Sequence, residues 1–413
     1  MTKMQQNIKP ELVAPAGNWA SFHSAIDAGA DAVYFGIKGL NMRKSANNFD
    51  ILEMQKVMDL LRQNGKKGYL ALNVIVYDGE TDKVRKILEE AKRARVDAVI
   101  LWDMAVFSMA KELGLKIHLS TQASVSNFEA LKTYSSMGAK RIVLARECTL
   151  SDIRNITRRA VEENIECAVE TFIHGAMCVS VSGRCFMSQD SFAKSANRGE
   201  CLQPCRREFS IIDNDTDAEC SYVLGEDYVL SPKDLCTISF FEKVMTSGAE
   251  AFKIEGRMRA PEYVSVVTSA YRTAIDSFGE ENLTEDLKEE LLKKLEFSFN
   301  RGFSDGFYFG KPDDLGGTLD KEYEKVYLGE VIKYYRKIGV AEVHLTCGSL
   351  KEGQEILITG KSTPASFAKV EEMEIEHNRV DFVEKGRSAG IKVPFSVRPK
   401  DKVFLWTVKG GLN

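Results

Sequence analysis

The residues with the most distinctive chemistry in this sequence are cysteines, six of which fall between residues 178 and 236. Cys178 and Cys185 enclose six residues, Cys201 and Cys205 enclose three, and fifteen residues separate the two pairs. Four thiolates are soft ligands that suit a structural zinc ion or an iron–sulfur cluster. Zinc sites usually have tighter pairs, so this spacing favours iron–sulfur over zinc, and either over four unrelated buried thiols. We expect the other five cysteines to pack in the core: Cys148, Cys167, Cys220, Cys236 and Cys347. Cys220 and Cys236 are also alternative ligands.

The composition narrows the class of protein to which these cysteines belong. The chain has 413 residues, with 56 Lys and Arg against 60 Asp and Glu and a formal charge of −4. Its ordinary apolar fraction predicts a globular protein rather than a disordered or disulfide-dense chain. No signal peptide and no run of 18 apolar residues is evident, so we expect a cytoplasmic protein without membrane contact, in a reducing compartment. Nucleic acid would have to bind to a local basic patch, because the overall charge is negative.

Repeated β-α units are predicted for the first part of the chain, where short apolar runs alternate with amphipathic stretches. The predicted strands are residues 11–15, 31–36, 67–74, 97–103, 116–122, 140–147, 166–173 and 250–257. Eight strands are the number in a TIM-like (β/α)8 barrel, with an open doubly wound sheet as the alternative. Residues 174–249 form a long insertion between the last two strands, and they contain the cysteine cluster. Insertions of this length in compact domains are usually functional.

A second, smaller domain is predicted at the end of the chain. Residues 321–413 contain about six short runs with period-two alternation and glycine-punctuated turns, a pattern typical of a small antiparallel β-barrel. We therefore expect a catalytic domain over residues 1–320 and a β-domain over residues 321–413.

Polar residues cluster at the carboxyl ends of the predicted barrel strands, where active sites of this architecture lie. They are Arg43, Asn73, Asp103, Gln122, Arg146, Glu147, His174, Glu255 and Arg257. The arginines suit a planar anionic substrate, because guanidinium groups bind carboxylates or phosphates at two points. The alternative is that they form internal ion pairs, Arg146 with Glu147 or Glu170 and Arg257 with Glu255.

The common nucleotide-binding and hydrolase motifs are absent from the sequence. Neither G-x-G-x-x-G nor the P-loop pattern occurs, which argues against dinucleotide and P-loop enzymes. H-E-x-x-H and G-x-S-x-G are also missing, which argues against zinc peptidases and serine hydrolases of the common types. A dyad of His174 and Cys178 remains as a candidate nucleophilic pair, although the cysteine is better explained as one of four metal ligands.

The segment ETFIHGAMCVSVSGRCFMS at 170–188 resembles the diagnostic motif of peptidase family U32, the collagenase-like peptidases. Further blocks resemble the family in family order, over nearly the whole chain: ELVAPAG at 11–17, GADAVYFG at 29–36, LSTQA at 119–123, LARE at 144–147, CLQPCRREF at 201–209, SPKDL at 231–235 and KIEGRMRAPEY at 253–263. The terminal β-domain resembles that of the members that act on tRNA.

The resemblance implies an activity different from the family's name. Better understood members are oxygen-independent hydroxylases, of which one branch converts the wobble uridine of tRNA to 5-hydroxyuridine with prephenate as co-substrate. Several members carry a 4Fe-4S cluster, and the family's ligand cysteines correspond by motif to the two cysteine pairs of this sequence. Structural zinc is the alternative. Prephenate, a dicarboxylate, would be held by Arg43, Arg146 and Arg257, and RNA by basic positions such as Arg206 and Arg259.

Three alternative activities follow from the same resemblance. The chain could be a collagenase-like peptidase, with His174 and Cys178 or an acidic residue near the mouth as catalysts. It could hydroxylate ribosomal RNA, as another branch does. It could also be a partner subunit, since members of the family work as homo- or hetero-oligomers with a homologue.

Overall fold

The computed structural model describes residues 9–44, 46–181, 184–206, 209–212, 221–224, 233–298, 300–310, 323–360, 363 and 366–408. The chain divides into two compact units, Met1–Arg207 with Tyr228–Pro312, and Glu208–Asp227 with Asp313–Asn413. The domain boundary predicted at residues 320 and 321 lies outside the described residues. The predicted insertion at 174–249 is divided, because its middle part groups with the second unit.

Twelve strands precede residue 310 in the described part of the chain. They are β1 (Glu11–Ala16), β2 (Ala32–Gly36), β3 (Lys67–Ala71), β4 (Ala98–Leu101), β5 (Ile117–Leu119), β6 (Ala139–Val143), β7 (Ala168–Ala176), β8 (Phe209–Ile212), β9 (Ser221–Leu224), β10 (Asp234–Cys236), β11 (Ala251–Ile254) and β12 (Phe303–Ser304). Strands β8 and β9 form an antiparallel hairpin that groups with the second unit.

Eight of these strands form a closed parallel barrel. Strands β1 to β7 pair in sequence order, and β11 pairs in parallel with both β1 and β7, which joins the two ends of the sheet. The TIM-like (β/α)8 barrel is therefore confirmed, and the open doubly wound sheet is excluded. Strands β2 and β4 are buried at every position, as expected where one face of a strand packs inside the barrel and the other under the helices. Outside the barrel, β10 pairs antiparallel with β7, and β12 pairs with β10.

Helices connect the barrel strands and cover their outer face. The α-helices are α1 (Trp19–Asp27), α2 (Met54–Gln63), α3 (Thr81–Ala94), α4 (Met104–Glu112), α5 (Phe128–Met137), α6 (Leu150–Glu162), α7 (Met187–Phe192), α8 (Phe241–Met245), α9 (Pro261–Gly279) and α10 (Glu285–Glu296). Short 3-10 helices span Ile51–Glu53, Asp78–Glu80, Thr121–Ala123, Ala196–Arg198, Pro204–Arg206 and Ile238–Phe240. Helix α3 buries Val84, Ile87 and Leu88 on one face, as its periodicity predicts. Among the described residues, none of the helices combines the length and apolar character that crossing a bilayer requires.

The second unit is an antiparallel β structure, as predicted. Its described strands after residue 320 are β13 (Tyr323–Tyr335), β14 (Val340–Leu345), β15 (Leu350–Lys351), β16 (Glu355–Thr359), β17 (Ser366–Lys369), β18 (Met373–Ile375), β19 (Asn378–Val380), β20 (Phe382–Val383), β21 (Ser388–Lys392) and β22 (Lys402–Val408). Eight of them form one sheet in the order β17-β16-β22-β13-β14-β21-β18-β19. Alternate residues of these strands, such as Ala341 and Val343 in β14, supply a separate hydrophobic core.

Gly175 lies where β7 passes the end of β11, and it occupies a conformation that other residues rarely adopt. Its φ is +109°, and a Cβ there would lie 2.4 Å from the Glu255 carbonyl oxygen. Gly279 has open space around its Cα and no positive φ. The two glycines therefore form a matched pair for substitution.

We predict that Gly175→Ala lowers the free energy of unfolding by about 2 kcal/mol or more, through backbone strain and the contact with Glu255. Gly279→Ala should leave stability unchanged or raise it by about 0.5 kcal/mol. Thermal unfolding followed by circular dichroism measures both changes. Equal midpoints for wild type and Gly175→Ala would contradict the described path of β7.

Candidate functional site

The carboxyl ends of the barrel strands surround a small cavity of about 50 Å³, which we call the mouth. The structure brings six residues named from the sequence to its lining: Arg43, Asn73, Gln122, Arg146, Glu255 and Arg257. They come from five different strand ends or loops, with Glu255 and Arg257 both following β11, and closure of the barrel places them together. This geometry is consistent with the prediction that the polar strand ends converge on one cavity.

Glu255 is held between two arginines at the centre of the mouth. Its two carboxylate oxygens each lie 3.1 Å from a guanidinium nitrogen, Oε1 from Arg43 Nη2 and Oε2 from Arg146 Nη2. Burial alone would raise the pKa of Glu255, but Arg43, Arg146 and Arg257 outweigh it and bring the pKa to about 2. Glu255 is therefore a carboxylate at any physiological pH, and Arg146 pairs with it rather than with Glu147 or Glu170.

Arg146 and Arg257 are fixed by different partners. Arg146 donates from Nη1 to the Ala176 carbonyl oxygen at 2.7 Å, and its guanidinium lies 4.0 Å from the centre of the Phe172 ring. Arg257 is 4% exposed and donates from Nη1 to Asn41 Oδ1 at 3.0 Å. Burial lowers the pKa of Arg257 to about 10, which still leaves it charged. Among the described carboxylates, none forms an ion pair with Arg257, so the sequence-based pairing with Glu255 is not the one observed.

A second cavity, of about 320 Å³, adjoins the mouth, and all four cysteines of the two pairs line it. Arg43, Gln122 and Arg146 line both cavities, as do Met42 and Thr121. This volume lies in the range of small-molecule and cofactor sites. The two cavities therefore share one wall, and we call the larger one the cysteine cavity.

The cysteine sulfurs accept local hydrogen bonds. The Met187 backbone N–H donates to Cys185 Sγ and the Gln203 backbone N–H donates to Cys201 Sγ, each at 3.4 Å. Cys178 Sγ lies 3.4 Å from Ser180 Oγ. Donors of this kind stabilise a thiolate and adjust the properties of a metal bound to it. Within the described ranges, no group of three or more His, Cys, Asp or Glu side chains is arranged to hold a single metal ion.

The remaining described cysteines of the barrel unit are buried thiols. Burial raises the pKa of Cys148 and of Cys167 to about 12, and that of Cys236 to about 11. They pack in the core, as predicted, and Cys236 is therefore not brought to the cysteine cavity. Cys220 lies outside the described residues.

His174 is not at the mouth, contrary to the expectation that it follows the seventh strand. It is 1% exposed and packs among the rings of Tyr263, Tyr271 and Phe303. Burial lowers its pKa to about 3, so it is neutral at physiological pH. The reason is a bulge: Lys253 pairs with Phe172 but Ile254 pairs with His174, so the extra residue Ile173 turns His174 towards the helices.

Three other candidates occupy different places. Glu147 lines the cysteine cavity, and its Oε2 is buried without a hydrogen-bond partner among the described residues. Arg259 lies outside both cavity linings and forms an ion pair of 2.9 Å with the fully buried Asp234. The side chain of Arg206 lies outside the described part of the chain. Asp103 accepts from the backbone N–H groups of Ala105 and Val106 at the start of α4, so it is a helix cap.

Sequence reasoning missed Lys253 and Tyr34, which also line the mouth. Lys253 Nζ bonds Glu170 at 2.6 Å and lies 4.4 Å from the centre of the Tyr34 ring. The signal was present, since Lys253, Glu255 and Arg257 alternate along the predicted strand 250–257, which would place them on one face. Tyr34 gave no signal beyond its place in an apolar run.

Comparison with known proteins agrees with the motifs in the sequence. The chain is 41% identical over 406 residues to a protein of Porphyromonas gingivalis named "Collagenase", covering 95% of this chain and 97% of that protein. It is 33% identical over 334 residues to "tRNA hydroxylation protein P1" of Bacillus subtilis, covering 79% and 78% of the two chains. It is 32% identical over 341 residues to "23S rRNA 5-hydroxycytidine C2501 synthase" of Escherichia coli, covering 81% of this chain and 50% of that one.

The family model described as peptidase family U32 matches residues 17–317, which include seven of the eight barrel strands, the linings of both cavities and all four clustered cysteines. The match agrees with the alignments of the three relatives, which also cover most of the chain. The chain belongs to peptidase family U32.

Proposed function

We propose that this protein is an RNA-modifying enzyme that hydroxylates a pyrimidine base, with the wobble uridine of tRNA as its substrate. The observation that carries the proposal is the shared wall between an arginine-lined mouth and a cavity lined by four cysteines. Relatives named for tRNA and rRNA hydroxylation, at 33% and 32% identity, support the class of reaction. A hydroxylase that works without molecular oxygen needs a redox group and a hydroxyl donor, and the two cavities suit one each.

The cysteine cavity fits a 4Fe-4S cluster, which Cys178, Cys185, Cys201 and Cys205 would hold. Four thiols around a volume of about 320 Å³, rather than around one point, suit a cluster of several irons better than a zinc ion. When bound, such a cluster supplies electron transfer at the wall of the mouth. Backbone donors to Cys185 and Cys201 would then stabilise the thiolates, and Glu147 would offer a carboxylate oxygen inside the same cavity.

The charge of the mouth suits a small dianion. Three arginines against one carboxylate leave two net positive charges among these four side chains, and burial strengthens their field. A dicarboxylate such as prephenate has the complementary charge. Arg257 is the strongest candidate to bind it, because Arg43 and Arg146 already share Glu255.

The peptidase alternative is favoured by the relative named "Collagenase" at 41% identity. The residue that would serve it as a base, His174, is enclosed by aromatic rings, and burial brings its pKa to about 3, which makes it a weak base. It does not line the cavity that contains Cys178. The residues proposed for hydroxylation lie close together in the structure, whereas His174 and Cys178 do not share a cavity. We therefore rank the peptidase second.

We predict that the anaerobically purified protein is brown and contains about four iron atoms per chain. Cys201→Ala and Cys205→Ala should each lose most of the iron, because each removes one ligand. Cys347→Ala, in the second unit, should keep it. Iron and zinc analysis with absorbance spectra measures the outcome; zinc without iron, or equal loss in all three variants, would refute the assignment.

Arg257→Gln should weaken binding of prephenate roughly 10- to 100-fold, since a charge-assisted hydrogen bond contributes about 1.5–3 kcal/mol. The control is Arg154→Gln, which removes an exposed arginine of α6 that bonds the Lys243 carbonyl oxygen. Isothermal titration calorimetry measures both affinities. Equal affinity of Arg257→Gln and wild type would rule out this anion site.

Cells lacking the gene should lose 5-hydroxyuridine derivatives from their tRNA, as measured by mass spectrometry of nucleosides. Wild type and Arg154→Gln should restore them, whereas Cys201→Ala and Arg257→Gln should not. Unchanged nucleosides, together with degradation of gelatin by the purified protein, would favour the peptidase instead.

A further inference from the structure

Trp102 and Arg184 form a stacked pair at the edge of the mouth. The Arg184 guanidinium lies 5.0 Å from the centre of the Trp102 ring. Trp102 follows β4, and its indole Nε1 donates to the Asn73 carbonyl oxygen at 3.2 Å. Arg184 donates from Nη2 to the Gln122 carbonyl oxygen at 2.5 Å. Because Asn73 and Gln122 both line the mouth, these two hydrogen bonds fix the pair beside it.

The pair offers a flat, charged surface to solvent. Arg184 is exposed and Trp102 is half-buried. Among the carboxylates that the structure describes, none forms an ion pair with Arg184. Arg198, in the same insertion, differs: it lies 4.8 Å from the Tyr77 ring but also forms an ion pair with Glu80. Arg198 therefore binds the insertion to the barrel, whereas the charge of Arg184 is available to a ligand.

We propose that the Arg184 guanidinium, backed by Trp102, is the stacking platform that holds the substrate nucleobase beside the mouth. The ligand is an unpaired pyrimidine of RNA, so the inference rests on the proposed function and deepens it. Enzymes that modify a base take it out of the helical stack and hold it against aromatic or other flat side chains. Single-stranded RNA is recognised in the same way, on aromatic rings and on arginine planes.

The position of Arg184 in the chain links this platform to the cysteine cavity. Arg184 directly precedes Cys185, and Gln122, whose carbonyl oxygen it binds, lines both cavities. A base stacked on Arg184 would therefore lie beside the wall that the two cavities share. Lysine could replace the charge of Arg184 but not its plane, which makes charge and stacking separable by substitution.

The test is binding of a short oligouridylate and of the matching abasic oligonucleotide to the full chain, measured by fluorescence anisotropy under anaerobic conditions. Arg184→Lys should bind oligouridylate about tenfold more weakly than wild type, within the roughly 5- to 150-fold expected for a lost base stack. It should bind the abasic strand as wild type does. The matched control is Arg159→Lys, which alters a guanidinium 4.0 Å from the Phe128 ring on the helical side of the barrel.

Each other outcome overturns the inference. If Arg184→Lys binds oligouridylate as wild type does, the guanidinium plane is not a platform. If it loses affinity equally for both strands, Arg184 contacts the phosphate backbone instead. In either case, hydroxylated nucleosides made by wild type would leave the proposed function intact. If wild type binds neither strand and makes no such nucleoside, the proposed function and this inference both fail.

Discussion

The arrangement of the mouth depends on one carboxylate, that of Glu255. It bonds Arg43 from the loop after β2 and Arg146 from the loop after β6, and thus ties three separate parts of the barrel rim together. All three side chains are largely withdrawn from water, with 13% of Glu255, 27% of Arg43 and 12% of Arg146 exposed. Removing Glu255 would leave two partly buried guanidinium groups without a counter-charge, which is far costlier than losing a surface pair. Glu255 therefore sets both the shape of the mouth and its residual positive charge.

A second group of charged side chains inside the barrel is internally paired. Arg141 bonds Glu11 at 2.7 Å and Glu170 at 3.1 Å, and Lys253 bonds Glu170 at 2.6 Å. Burial alone would raise the pKa of Glu11, but its hydrogen bonds and the charge of Arg141 bring the pKa to about 2. Glu11 also bonds Lys67 at 2.6 Å, so three bases share two acids, and each of these charges has a partner. Arg257 differs from them, because no described carboxylate forms an ion pair with it.

Much of this site could be predicted from the sequence, because a barrel converts strand order into position. Arg43, Arg146 and Glu255 are far apart in the chain, yet each follows or ends a predicted strand, and closure of the barrel brings them together. The position of His174 could not be predicted, since period-two alternation places it with Phe172 inside the barrel. The bulge at Ile173 reverses that face, and no local residue pattern marks it.

The insertion could be predicted as the place of the cysteines but not as the lining of a cavity that adjoins the mouth. It follows β7, at the same end of the barrel as Glu255, so its cysteines border the cavity that Arg43 lines. The pKa of Arg43 is raised mainly by the charge of Glu255, and to a smaller extent by Cys201 and Cys178. A negative charge on either sulfur would therefore stabilise the charged form of Arg43. The thiolates of the proposed cluster would supply such a charge from the side of the cysteine cavity, and the mouth itself would stay open to a small anion.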